Sequence, residues 1–196
     1  MSGIDNKIQI VAFSTNEKEK SPNEIFSSFL RQHNILILKK INPAMAFSMT
    51  LTGNSKPNII MICSIFDLTK EYQGLSDVNC YLLFIDLEKE YSSRKLESII
   101  TYFKYYCKLD KKIYILGIES GKEGDKKYLT EKDITDILDT EQINYEYKGI
   151  NLSKEKELSD VIMEILIYCS NHPLDEESED NFEGKGDSGH SSCAIY

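Results

Sequence analysis

Residues 80–107 read CYLLFIDLEKEYSSRKLESIITYFKYYC, and the fold is decided there. Over 80–87 the side chains are apolar almost without interruption, as in a strand covered on both faces rather than one that alternates between core and water. Over 92–107 the period changes. Leu96, Ile99, Ile100, Phe103 and Tyr106 recur at helical spacing and form one inner stripe. A fully apolar strand that runs into an amphipathic helix is half of a crossover unit, and crossover units build parallel sheets.

The same alternation continues on both sides. Towards the C-terminus, 112–117 (KIYILG) reads as a strand and 130–138 as a short helix opening on a Thr130-x-x-Asp133 cap. A strand follows at 143–148, then a long helix at 153–168 carrying Leu158, Val161, Ile162, Ile165 and Leu166. Towards the N-terminus, 7–13 (KIQIVAF) is a strand and 23–33 a helix with Ile25, Phe26, Phe29 and Leu30 on one face. Strands at 35–41 and 45–51 are interrupted at Asn42-Pro43, and a turn at Gly53-Asn54 precedes a continuous apolar strand at 58–66. The expectation is an α/β protein with a doubly wound, mostly parallel six-stranded sheet, right-handed crossovers and one antiparallel edge hairpin. A receiver- or flavodoxin-like module would instead have five parallel strands and no hairpin, with an acidic pocket or flavin loop after the first strand. That loop contains neither.

The domain is expected over 1–170. Residues 171–196 are acidic, then Gly/Ser-rich, and read as a disordered tail. The chain of 196 residues has 23 Lys+Arg against 32 Asp+Glu, a net charge of -9. From Leu174 to Tyr196 there are seven acids and one base, so -6 of that charge belongs to the tail. A net-acidic chain without a basic arm is a poor nucleic-acid binder, because that binding rests on neutralising phosphates. No apolar run reaches the ~20 residues that span a bilayer, and the N-terminus lacks a secretory layout, so the expected location is cytoplasmic. The five cysteines are scattered without metal-ligand spacing, which excludes a zinc site.

Ligands of doubly wound sheets bind at the carboxyl ends of the strands. After the first strand, Ser14 to Ser21 (STNEKEKS) falls in register with the phosphate loop GxxxxGK[ST], placing Lys20 and Ser21 at its Lys and Ser/Thr positions. Both glycines are replaced, by Ser14 and Glu19. Ser21-Pro22-Asn23-Glu24 also reads as a capping box with proline at the first helical position, and this is the reading of Ser21 that explains more residues. Asp67, Asp86 and Glu119 lie near strand ends, without a histidine, second aspartate or nucleophilic serine at partner spacing, and read as unrelated strand-end acids. His33, His172 and His190 have no catalytic spacing. Tyr102, Phe103, Tyr105 and Tyr106 crowd one helix, either as a partner patch or as a core edge with its hydroxyls in water. The lysines of 122–127 read as a solvated turn.

The order of elements over 7–170, with the Lys20-Ser21 register and CYLLFIDL followed by KLESIITYFKYYC, resembles the Ras/Rab small GTPase superfamily. The resemblance implies a G domain of the phosphate-loop NTPase fold. The family's Asp-x-x-Gly is missing from 63–67, its Asn-Lys-x-Asp from 117–121, and its Ser-Ala-Lys-like element is replaced by Gly149-Ile150-Asn151. What is implied is therefore a pseudo-GTPase with no catalytic residues and no cofactor, a protein-interaction module in membrane trafficking or signalling. The alternative is a divergent GTPase that holds GTP or GDP with Mg through Lys20 and Ser21. Cys193-Ala194-Ile195-Tyr196 resembles a prenylation box, which implies lipidation of Cys193 and peripheral membrane association. Tyr196 lies outside the usual set of last residues for that box.

Overall fold

The protein is described by a computed structural model that covers residues 6–16, 20–41, 44–51, 56–65, 67–70, 72, 75, 77–108, 110–122 and 126–174. Among these residues seven strands and four helices follow one another: β1 (Asn6–Ser14), α1 (Pro22–Gln32), β2 (Ile37–Ile41), β3 (Ala44–Met49), β4 (Asn58–Ile65), β5 (Cys80–Asp86), α2 (Ser92–Tyr106), β6 (Lys112–Glu119), α3 (Glu131–Thr140), β7 (Tyr145–Asn151) and α4 (Glu155–Asn171). They form a single sheet in the order β2-β3-β4-β1-β5-β6-β7. The β4-β1-β5-β6-β7 part is parallel throughout, and β3 pairs antiparallel with both β2 and β4.

The expected α/β class, mostly parallel sheet and antiparallel edge are all present. The strand count is corrected from six to seven. The segments 35–41 and 45–51, both read as strands, each occupy a place of their own in the sheet. The first forms β2, outside β3, because β3 is already bonded to β4 on its other side.

Helices cover both faces of the sheet. On one, α1 and α4 pack Phe26, Phe29, Ile162 and Leu166 against Ile10, Phe47, Ile60 and Phe84. On the other, α2 and α3 set Leu96, Phe103, Ile134 and Leu138 over Phe13, Tyr81, Leu83 and Ile115. Every residue of β5 is buried, as its unbroken apolar sequence requires for a central strand with helices above and below. Phe13 lies 5.3 Å from Phe103, centroid to centroid, which fixes α2 over the centre of the sheet. Complete burial of such a ring contributes roughly 1.5–3 kcal/mol.

Local chemistry sets the helix ends. Ser21, in extended conformation, accepts the Glu24 N–H and leads into Pro22, whose fixed φ suits the first turn. Thr130 and Asp133 exchange hydrogen bonds in a complete capping box at α3. Asn34 and Gln142 take positive φ just after α1 and α3, the left-handed turn that releases a chain from a helix.

Candidate functional site

The carboxyl ends of β1, β5 and β6 converge on a buried polar network. Its frame is main chain: the Thr15 N–H donates to the Phe84 carbonyl at 2.9 Å, extending the ladder beyond β1. The Asp86 N–H donates to Thr15 Oγ1 at 2.9 Å, and Ser92 Oγ lies 3.1 Å from the same hydroxyl. Ser14 Oγ accepts the Asn16 N–H and donates to the Asn16 carbonyl, curling the loop so that Asn16 faces β5.

At the centre is Lys20. Its Nζ donates to Asp86 Oδ1 at 2.8 Å and to Glu88 Oε2 at 2.6 Å. Asp86 is wholly buried and also accepts Asn16 Nδ2 at 2.7 Å and the Glu88 N–H at 3.1 Å. The other oxygen of Glu88, Oε1, accepts both the N–H and the hydroxyl of Ser120 beyond β6, at 2.8 and 2.9 Å. One lysine and two carboxylates thus tie together the ends of three adjacent strands. Burial works against the charge on Lys20, but the bonds to Asp86 and Glu88 outweigh it and hold the ammonium above its ordinary pKa. Glu88 shows the mirror effect: burial would raise its carboxyl, yet Lys20 and Ser120 bring it below the usual carboxylate value.

This arrangement answers the phosphate-loop register. Lys20 stands at the carboxyl end of β1, as that register places it, but its donors are directed at the protein's own carboxylates. An incoming phosphate would meet Asp86 and Glu88 as well as the lysine, with like-charge repulsion on the order of 1–4 kcal/mol per pair at 4 Å. Ser21 Oγ is the helix cap, 3.4 Å from the Glu24 nitrogen. Beyond β6 and β7 the loops close on each other. Gly121 has φ +76, and a Cβ there would lie 2.1 Å from Asn151 Oδ1 and 2.5 Å from Ser153 Oγ.

The other singled-out residues do not join this cluster. Asp67 is bound by Thr69 and Lys70 in its own loop, and Glu119 pairs with Lys127 at the surface. His33 meets Ser159 across α1 and α4, and His172 contacts the Tyr168 carbonyl. The tyrosine cluster divides: Tyr102 and Phe103 are core, while Tyr105 and Tyr106 are exposed. Among the lysines of 122–127, Lys126 lies over the ring of Tyr128. His190 and Cys193 lie outside the described residues, as does Glu19. Among the described residues no group of three or more His, Cys, Asp or Glu side chains could hold a metal ion, and no helix is long and apolar enough to cross a membrane.

Sequence reasoning reached Lys20 and Asp86 but not their pairing, and it did not single out Glu88. The available signal was the spacing Asp86-x-Glu88 at the end of an apolar strand, where the chain turns at 87–88 and the Glu88 N–H returns to Asp86 Oδ1. The chain matches no protein-family model and no curated protein.

Proposed function

We propose that this chain is a pseudo-GTPase-like protein-interaction module, a degenerate small-GTPase-like G domain that acts in membrane trafficking or signalling without conventional GTP hydrolysis. The observation that carries this reading is the double ion pair of Lys20 with Asp86 and Glu88. The lysine that would steady a nucleotide's phosphates is neutralised from within, and two negative charges stand beside it. The strand order supports the G-domain part: β3-β4-β1-β5-β6-β7 runs as a six-stranded G-domain sheet does, with β2 added outside.

The test is direct. Protein purified from cells is extracted and the supernatant analysed for guanine nucleotide, and its melting temperature is then measured with GTP or GDP and Mg. The expected result is no extracted nucleotide and no shift. Bound guanine nucleotide, or a rise of several degrees that Lys20→Ala abolishes, would instead establish the divergent GTPase that uses Lys20 and Ser21.

Membrane attachment through Cys193 is a separable part of the proposal. A single prenyl chain binds membranes only marginally, and the net -6 of residues 174–196 supplies repulsion from an anionic leaflet where a polybasic segment would supply attraction. The expected membrane-bound fraction is therefore small and disappears in Cys193→Ser. Identical fractionation of the two chains would remove the lipid from the proposal.

A further inference from the structure

The charge of this chain is distributed unevenly in a way that its total conceals. Between Glu24 and Asp67 there is no acidic residue at all, while Arg31, Lys39, Lys40 and Lys56 fall in that interval. All four are exposed, and among the described residues none of them takes part in an ion pair. A protein of net charge -9 therefore carries a basic stretch of sequence, and that stretch contains the edge strand: Lys39 and Lys40 lie in β2, whereas Arg31 lines a cavity with Glu24 and Glu155.

The same edge is apolar where edges are normally guarded. β2 is bonded to β3 on one side, and among the described residues no strand lies on the other. Leu36, Ile37 and Leu38 are 83%, 40% and 60% exposed, three consecutive large apolar side chains among the seven the described surface leaves open. The register between β2 and β3 shifts between Ile37 and Lys39, so Leu38 has no partner across the ladder. Natural edges are protected by charge, above all lysine, and Lys39 and Lys40 protect only the second half of this one.

The geometry points to β2 as a docking edge for an extended, acidic-and-apolar segment of a protein partner, which would add an antiparallel strand. Backbone groups supply the pairing, Leu36 to Leu38 accept β-branched side chains, and Lys39 and Lys40 accept carboxylates. This deepens the interaction-module reading and rests on it. A second copy of the chain fits poorly, since aligning two β2 strands antiparallel over their full length sets Lys39 against Lys39 and Lys40 against Leu38. The chain's own tail separates the two parts: its acidic stretch, 175–187, contains a single large apolar side chain, Phe182, and Ile195 and Tyr196 lie beyond it.

The experiment uses the full chain and a fluorescein-labelled peptide in which an acidic pair precedes three β-branched residues, Asp-Glu-Val-Ile-Val, read by fluorescence anisotropy and by hydrogen exchange. Binding is expected to protect the amides of 36–41, and the Lys39→Glu/Lys40→Glu variant and a charge-reversed peptide are each expected to bind at least about tenfold more weakly, about 1.4 kcal/mol. N-methylation of alternate peptide amides is expected to abolish binding, because it removes the ladder donors. The proposal is overturned by equal binding of the charge-reversed peptide or by protection lying elsewhere. It is overturned equally by a peptide copying residues 174–187 that binds as well, which makes the tail the occupant, or by a dimer that protects 36–41 without peptide. Nucleotide content is measured separately, so a chain that proved to hold GTP yet took the peptide would sink the pseudo-GTPase reading and leave this one standing.

Discussion

Lys20 shows how much one position can decide. An ammonium that is almost completely buried persists only if its charge is compensated, and here Asp86 and Glu88 compensate it while other donors complete both carboxylates. Lys20→Met is expected to destabilise the fold by about 3–5 kcal/mol in urea denaturation, since it leaves buried carboxylates without a cation. Glu88→Gln in that background is expected to recover part of the loss, because it removes the repulsion between two uncompensated acids, and the two changes are expected to depart from additivity by about 1–3 kcal/mol. Strict additivity would mean that the three groups do not act as a unit. The pH dependence follows from the same contacts. Glu88 titrates below its ordinary value of 4.5 in the folded protein, so its contribution is complete above 4.5 and is lost as pH falls through the lowered native value. Lys20 titrates above 10.5, so its contribution is complete below that value and is lost as pH rises through the native one. The stability difference between the native chain and Glu88→Gln is therefore expected to be constant near neutrality and to shrink below pH 4.5. A difference that persists unchanged into acid would assign the effect of the substitution to packing instead.

At the scale of elements, the helices and the antiparallel edge are legible in the sequence, and the exposure of the outermost strand is not. The caps at Ser21 and Thr130 are written in the residues themselves, and Thr130→Ala is expected to cost about 1 kcal/mol and lower the melting temperature by about 2–4 °C. The run Ile35-Leu36-Ile37-Leu38 carries the same apolar signal as the central strands, yet it lies in and before an exposed edge strand. Periodicity reports which residues could be buried, while burial depends on whether another layer arrives. The sequence pattern also ends at 168, three residues short of the end of α4 at Asn171, because the anchor of that end is remote in sequence. Asn79, just before β5, accepts the Gln9 N–H at 2.7 Å and donates to the carbonyls of Cys169 and His172, so that β1 and the last turn of α4 hang on one amide. Asn79→Ala leaves those groups without their partner at a cost of about 1–3 kcal/mol. Faster hydrogen exchange is expected in 166–172 while α3 is unchanged. Uniform acceleration across all four helices would show that Asn79 supports the whole fold and not this junction.

At the scale of the molecule, the class of fold could be read because a sheet covered on both faces needs strands that are apolar throughout, and that demand is visible in β5 without knowledge of its neighbours. The site could not be read in the same way. Lys20 is remote in sequence from Asp86, Glu88 and Ser120, and only the order β1-β5-β6 brings their strand ends together. The same order bears on how the chain unfolds. Successive residues of β1 and β5 belong to the two cores in turn, Ala12 and Leu82 to one, Phe13 and Leu83 to the other. Neither helical layer can lose its strands without exposing the other's. Residues 6–174 are therefore expected to unfold in one cooperative transition, with coincident midpoints by far-UV circular dichroism and by tyrosine fluorescence, the chain having no tryptophan. The tyrosines are well placed for this comparison. Tyr81 lies in the core under α2 and Tyr102 on the buried face of that helix, and Tyr114 lies in the core under α4. A fluorescence transition that precedes the loss of helix would show that one layer detaches first, and the shared strands would then not couple the two faces.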